Sequence, residues 1–293
     1  MAIFTGAGVA IVTPMKENGE VNYDKMGELL DYQINNSTDA IVVCGTTGEA
    51  STLTHEEHIE TIRFTADYVK KRVPVIAGTG SNCTETAIYL SQEAQKAGVD
   101  ACLVVTPYYN KATQKGLIEH YTAVAKSIDL PIIMYNVPSR TGVKLPISVI
   151  KKLSEVSNIE AIKEASGDIS YTADIASEVP NLDLYSGNDD MVTPILALGG
   201  KGVISVTSNI VPRENHDMVM NYLNGNIKEA IKTQIHFIDL IRAMFIEVNP
   251  VPIKYAMNII GFEVGDCRSP LGPLSEKNKE HVKEIIKKYG VKK

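Results

Sequence analysis

Short β-rich runs recur along this chain at a spacing of about 28 residues, the length of one strand–helix unit. Eight can be read, at 7–14, 40–44, 74–78, 101–107, 131–136, 159–165, 184–187 and 202–207. Most are continuous apolar stretches rather than alternations, the pattern of a strand covered on both faces. Between them lie stretches with apolar residues at helical spacing, such as 57–68, 84–97 and 116–128. Thr54-x-x-Glu57 is a capping box opening the first of these, and Gly98 closes the second. Strands separated by helices imply a parallel sheet with helices packed on it. Eight units in about 200 residues fit an α/β fold of the closed (β/α)8 TIM-barrel type. An open doubly wound sheet is the alternative, but it usually has fewer strands and a glycine-rich first turn. Gly78-Thr79-Gly80 lacks the third glycine of a dinucleotide fingerprint, and no P-loop sequence occurs.

The catalytic barrel is assigned to residues 1–224. Residues 225–293 read as a helical extension packed on it, with amphipathic stretches at 229–247, 253–260 and 276–289 punctuated by Pro250 and Pro252. A net charge of −6 argues against nucleic acid or anionic membrane as a partner. The N-terminal segment lacks a basic stretch and is interrupted by Gly6, Gly8, Thr13 and Pro14, so no signal peptide is expected. Cys44, Cys83, Cys102 and Cys267 show no C-x-x-C spacing and read as reduced thiols. A cytoplasmic protein is the expectation.

In such a barrel the reactive groups collect where the strands end at their C-termini. Those positions hold Gly45-Thr46-Thr47-Gly48-Glu49, Thr106-Pro107-Tyr108-Tyr109-Asn110, the segment from Tyr135 through Arg140 to Gly142, and Ser186-Gly187-Asn188-Asp189. The sixth run contains Lys163. Period-two alternation places Ile159, Ala161, Lys163 and Ala165 on one face with no acid among them. Two readings stand for this lysine. One is an ammonium paired with an acid on a neighbouring strand. The other is an unpaired amine whose pKa is lowered by burial, the nucleophile that forms a Schiff base with a carbonyl substrate. No metal set is visible: His55-Glu56-Glu57-His58 is not H-E-x-x-H and reads as a surface or ligand-contacting pair.

These stretches, together with Gly202-Val203-Ile204-Ser205-Val206 and Asn249-Pro250-Val251-Pro252 with Lys254, resemble the pyruvate-dependent Schiff-base aldolase family from about Gly6 to Ser275. Thr46-Thr47 and Arg140 resemble its lysine-pathway branch. The resemblance implies condensation of pyruvate with L-aspartate 4-semialdehyde to 4-hydroxy-tetrahydrodipicolinate, in lysine and diaminopimelate biosynthesis. The alternative is a relative such as N-acetylneuraminate lyase or a 2-keto-3-deoxy sugar acid aldolase. It implies an imine on Lys163 without metal or organic cofactor. It also implies Tyr135 as general acid/base, and Thr46 and Tyr109 as its proton relay. Thr47 holds the pyruvate carboxylate, Gly187 and the Ile204 backbone line the pocket, and Arg140 binds the second substrate. Tyr109 is expected to reach across a dimer interface in a homotetramer built from dimers. Ser51, His55, His58, Asn82 and Tyr108 resemble positions of a lysine feedback site. Where responsive relatives carry a glutamate, this chain has Thr86, with Glu85 beside it.

Overall fold

The computed structural model describes residues 2–293. Eight parallel strands close into a barrel in sequence order: β1 Gly6–Ala10, β2 Ala40–Val43, β3 Val75–Gly78, β4 Ala101–Val105, β5 Ile132–Asn136, β6 Ile159–Glu164, β7 Asp183–Ser186 and β8 Gly202–Ser205. Closure is made by β8 pairing with β1, in the register Gly6↔Gly202. A Cβ at Gly202 would lie 1.9 Å from the Gly6 carbonyl oxygen, so the seam needs glycine there. The expected (β/α)8 barrel is therefore present, with the helical C-terminal segment beyond it.

Alternation along the strands sorts their side chains into two clusters. Ala10, Val42, Ile76, Leu103, Ile133, Tyr135, Ala161, Ala165, Tyr185 and Ile204 fill the barrel interior. A larger cluster, including Val9, Ile41, Val43, Val75, Cys102, Val104, Met134 and Ile162, packs under the helices. Phe4 plugs the floor, stacked on Tyr185 with ring centroids 4.4 Å apart. The Tyr185 hydroxyl donates to the Phe4 carbonyl at 2.6 Å, so the buried phenol is satisfied.

Two local expectations are corrected. The pairing of β5 with β6 slips between Ile132 and Ile133: Ile132 faces Ile159, but Ile133 faces Ala161. Glu160 is the extra residue, and this bulge turns Ile159 out to the helix layer while Ala161, Lys163 and Ala165 keep their common register. The single helix expected over 229–247 is two, Ile227–His236 and Ile238–Met244, broken at Phe237. Neither glycine nor proline marks the break. The Tyr289 hydroxyl takes the His236 carbonyl at 2.6 Å, and the Phe237 ring stacks on Tyr289 with centroids 5.5 Å apart. The helices Val251–Ile259 and Glu276–Tyr289 complete the segment. Among the described residues, no helix is long and apolar enough to cross a membrane.

Candidate active site

Lys163 and Tyr135 are register partners on neighbouring strands, and the next pair along, Asn136↔Glu164, points outward. Asn136 Nδ2 donates to Glu164 Oε2 at 2.7 Å, while Asn136 Oδ1 accepts the Leu145 N–H at 3.0 Å. This buried cross-strand clamp fixes the register that sets Lys163 beside Tyr135.

Both residues line a cavity of about 190 Å3 at the C-terminal mouth of the barrel, with Thr46, Thr47, Arg140, Gly187 and Asn249. Lys163 is 6% exposed and makes no ion pair within 4.0 Å among the described residues. Its Nζ lies 4.2 Å from the centroid of the Tyr135 ring. That ring face favours the ammonium by about a kilocalorie per mole. Burial acts the other way and wins: the amine is held down to about 8, with Arg140 helping and Asp189 opposing. The phenol of Tyr135 is pushed up by burial, against the Arg140 charge and the Thr46 hydroxyl. A second buried lysine shows what pairing looks like. Lys254 Nζ donates to Glu49 Oε1 at 2.8 Å, the Asp266 carbonyl at 2.9 Å and the Thr13 carbonyl at 3.1 Å. Glu49 in turn anchors the turn that carries Thr46 and Thr47, accepting the Arg268 N–H at 2.9 Å.

Gly187 admits the lysine. A Cβ there would sit 2.6 Å from Ala165 Cβ and 3.1 Å from Lys163 Cε, so it would displace the nucleophile's own stem before it crowded any substrate. Thr47 is buried, and its hydroxyl accepts from Asn249 Nδ2 at 2.9 Å, leaving the hydroxyl proton free to donate. Arg140 stands exposed at the mouth, with one guanidinium nitrogen donating to the Asn249 carbonyl at 3.0 Å. Asn249 thus ties together the two groups suited to carboxylates. No role was expected for it, although it sat in a proline-rich stretch at the start of a helix. Phe245 also reaches the cavity, and no sequence signal marked it.

Ile204 is not part of the cavity lining. It is 1% exposed, inside the barrel below the cavity, and Val206 supplies the wall two residues further on. Tyr109 lies outside its own chain's cavity, 88% exposed and at φ +72°. Ser51, His55, His58, Thr86 and Tyr108 line an adjoining cavity of about 340 Å3, which shares Thr46, Tyr135 and Arg140 with the first. Asn82 is not among its walls. Of the expected surface or ligand-contacting pair, His55 is exposed, whereas His58 is 4% exposed with its Nε2 bonded to the Gly78 carbonyl at 2.7 Å. No Asp or Glu is among the residues of this chain that line that cavity. Among the described residues, no group of three or more His, Cys, Asp and Glu side chains is arranged to hold a metal.

The sequence profile of the dihydrodipicolinate synthetase family matches residues 3–289. The 4-hydroxy-tetrahydrodipicolinate synthase of Brachyspira hyodysenteriae is 64% identical over 293 residues, covering 100% of both chains. The crystal structure of dihydrodipicolinate synthase from Aquifex aeolicus superposes with a TM-score of 0.96 at 43% identity, covering 98% of this chain and 99% of that one. The chloride-inhibited dihydrodipicolinate synthase from Acinetobacter baumannii, complexed with pyruvate, gives 0.96 at 40% identity over 98% and 99%. A profile match over nearly the whole length, relatives at this identity and a shared barrel agree: the chain belongs to the dihydrodipicolinate synthetase family.

Proposed function

We propose that this protein condenses pyruvate with L-aspartate 4-semialdehyde, through an imine on Lys163, to give 4-hydroxy-tetrahydrodipicolinate in lysine and diaminopimelate biosynthesis. The observation that carries the reading is the contrast between two buried lysines. Lys254 has three acceptors, whereas Lys163 has none and lines a cavity. The neutral amine adds to the keto carbon of pyruvate. The carbinolamine hydroxyl takes a proton from the Tyr135 phenol and leaves as water. The Tyr135 phenolate takes a methyl proton from the iminium to give the enamine, whose carbon attacks the aldehyde. The phenol protonates the new alkoxide. The amino group of the semialdehyde then adds to the regenerated iminium, closes the ring and expels Lys163 as the amine. The Lys163 iminium is itself the electron sink, so the chemistry calls on no metal or organic cofactor. Thr47 takes the pyruvate carboxylate, and Arg140 offers its fork to the carboxylate of the semialdehyde. The bound pyruvate of the Acinetobacter baumannii relative supports the first substrate.

Turnover of pyruvate with L-aspartate 4-semialdehyde, but not with sugar aldehydes, is the expected result. The opposite preference would move the assignment to a sugar-acid aldolase. Arg140→Ala should lose about 2 kcal/mol, roughly thirtyfold in kcat/KM for the semialdehyde. The KM for pyruvate should hold; an equal loss for both substrates would reassign Arg140.

Tyr109 serves, in this reading, the site of a neighbouring subunit in a homotetramer built from dimers. Its exposure and its distance from its own cavity support this, because a large wet ring in a strained turn usually marks an interface. Inactive Tyr109→Phe subunits mixed with inactive Lys163→Ala subunits should regain up to about a quarter of wild-type activity. Half of randomly paired dimers are mixed, and each has one site with both groups intact. Verified mixed oligomers without rescue would return Tyr109 to its own subunit.

A further inference from the structure

Asn249 is 5% exposed and lies just before the helix Val251–Ile259, in the segment that follows the barrel. It meets the substrate cavity at two points. Its side-chain Nδ2 donates to Thr47 Oγ1 at 2.9 Å, and its backbone carbonyl accepts an Arg140 guanidinium N–H at 3.0 Å. All three residues line the same cavity.

The backbone under Thr47 is already fixed. The Glu49 N–H donates to the Thr46 carbonyl at 3.1 Å, and the Gly48 carbonyl accepts from Thr13 Oγ1 at 2.7 Å. The Glu49 side chain is held by Lys254 and by the Arg268 N–H. The direction of the Thr47 hydroxyl proton is what this turn leaves open. A hydroxyl has one proton and two lone pairs. A neighbour that donates to it turns the proton elsewhere, whereas a neighbour that accepts from it uses the proton up. Among the described residues, Asn249 Nδ2 is the one hydrogen-bond partner of Thr47 Oγ1, and it donates. The amide thus leaves the proton for the cavity, where a bound carboxylate needs donors.

We propose that Asn249 is a positioning residue that makes the site selective for a carboxylate beside the keto group: by donating to Thr47, it makes that hydroxyl a donor to the substrate. The proposal rests on Thr47 holding the pyruvate carboxylate. The Asn249 carbonyl meanwhile holds Arg140, and a side-chain substitution leaves that carbonyl in place. The two contacts can therefore be separated by experiment.

The test compares pyruvate with pyruvamide, which keeps the ketone but carries a neutral amide that both donates and accepts. The half-saturating concentration of each is read from the borohydride-trapped adduct, at about pH 8.5 so that an introduced aspartate is ionised. The wild type should prefer pyruvate. Asn249→Asp is close in shape but can only accept, so it takes up the Thr47 O–H and sets a negative charge beside the substrate. Half-saturation by pyruvate should then rise about a hundredfold, and that by pyruvamide far less. Asn249→Ala removes the donor without reversing it, and the pyruvate value should rise about tenfold. Its KM for the semialdehyde should hold, because Arg140 keeps its carbonyl. In a Thr47→Val background, Asn249→Ala should add no further change to the preference, since the two residues act as one unit. An Asn249→Asp enzyme that matches the wild type would mean that the amide accepts from Thr47, and would overturn the proposal. Equal weakening of pyruvate and pyruvamide, the mark of general disorder in the site, would overturn it too. If Asn249→Asp does not fold, Asn249→Ala and its combination with Thr47→Val decide by the same comparison. A wild-type enzyme that traps no pyruvate would instead overturn the Lys163 reading beneath the proposal, so the two failures are distinguishable.

Discussion

Lys163→Ala is expected to lower turnover by about three orders of magnitude or more, and to remove the borohydride-trapped pyruvate adduct entirely. The size follows from the local environment. An amine with its usual midpoint is neutral in about one molecule in three thousand at pH 7. Held down to about 8, Lys163 is neutral in about one molecule in ten, a gain of some 300-fold in nucleophile. The sign also sets the pH dependence. The free enzyme reacts through the unprotonated amine, so kcat/KM for pyruvate should rise with pH and level off above the Lys163 midpoint. Lys254 provides the internal control. It is more deeply buried, but its Nζ is taken up in donating to Glu49 and two carbonyls and lines no part of the cavity that holds Lys163. Peptide mapping should therefore find the reduced pyruvate adduct on Lys163 alone. An adduct on Lys254 or another lysine, or full activity in Lys163→Ala, would dismantle the mechanism proposed here.

Much of this is legible in the sequence, for physical reasons that differ residue by residue. The strands stand out because a strand buried on both faces must be apolar throughout, and the capping box at Thr54 and Glu57 forms as read, with Glu57 N bonding Thr54 Oγ1 at 3.2 Å. The inward turn of Lys163 follows from its alternation with Ala161 and Ala165. Alternation fails one turn of the pleat earlier, at Glu160, because a bulge depends on how two strands twist together and leaves no mark in one strand. The break at Phe237 has the same origin: its cause, Tyr289, lies fifty-two residues further along the chain. Asn249 and Asp189 escaped for a related reason. Their importance lies in partners that only folding brings near, Thr47 and Arg140 for one and the backbone at the end of β8 for the other. Ile204 was expected to line the pocket through its backbone; its side chain packs in the barrel interior, and Val206, two residues on, is the residue of that segment in the cavity wall.

Tyr135→Phe should lower kcat by a factor of roughly 10²–10⁴ while leaving the fold intact. The ring does the packing. It sits in the barrel interior with Ile133, Ala165 and Ile204 and faces Lys163 Nζ, and phenylalanine keeps all of that. Only the hydroxyl is lost, and the hydroxyl is the group whose proton the proposed chemistry moves. Burial raises the phenol above its ordinary midpoint, so at neutral pH it is a proton donor, suited to expelling water from the carbinolamine. The Arg140 charge and the Thr46 hydroxyl work against that rise, which eases the reverse transfer when the phenolate must take a proton back. A loss of proton transfer, rather than of binding, predicts a specific pattern. Borohydride should still trap pyruvate on Lys163 in the variant, but slowly, whereas the melting temperature stays close to the wild type. Thr46→Val removes one neighbour of the phenol rather than the phenol itself, and its effect should be smaller. If Tyr135→Phe traps pyruvate at the wild-type rate and turns over normally, the proton must come from elsewhere. The half-buried Thr46 hydroxyl would then be the next group to test.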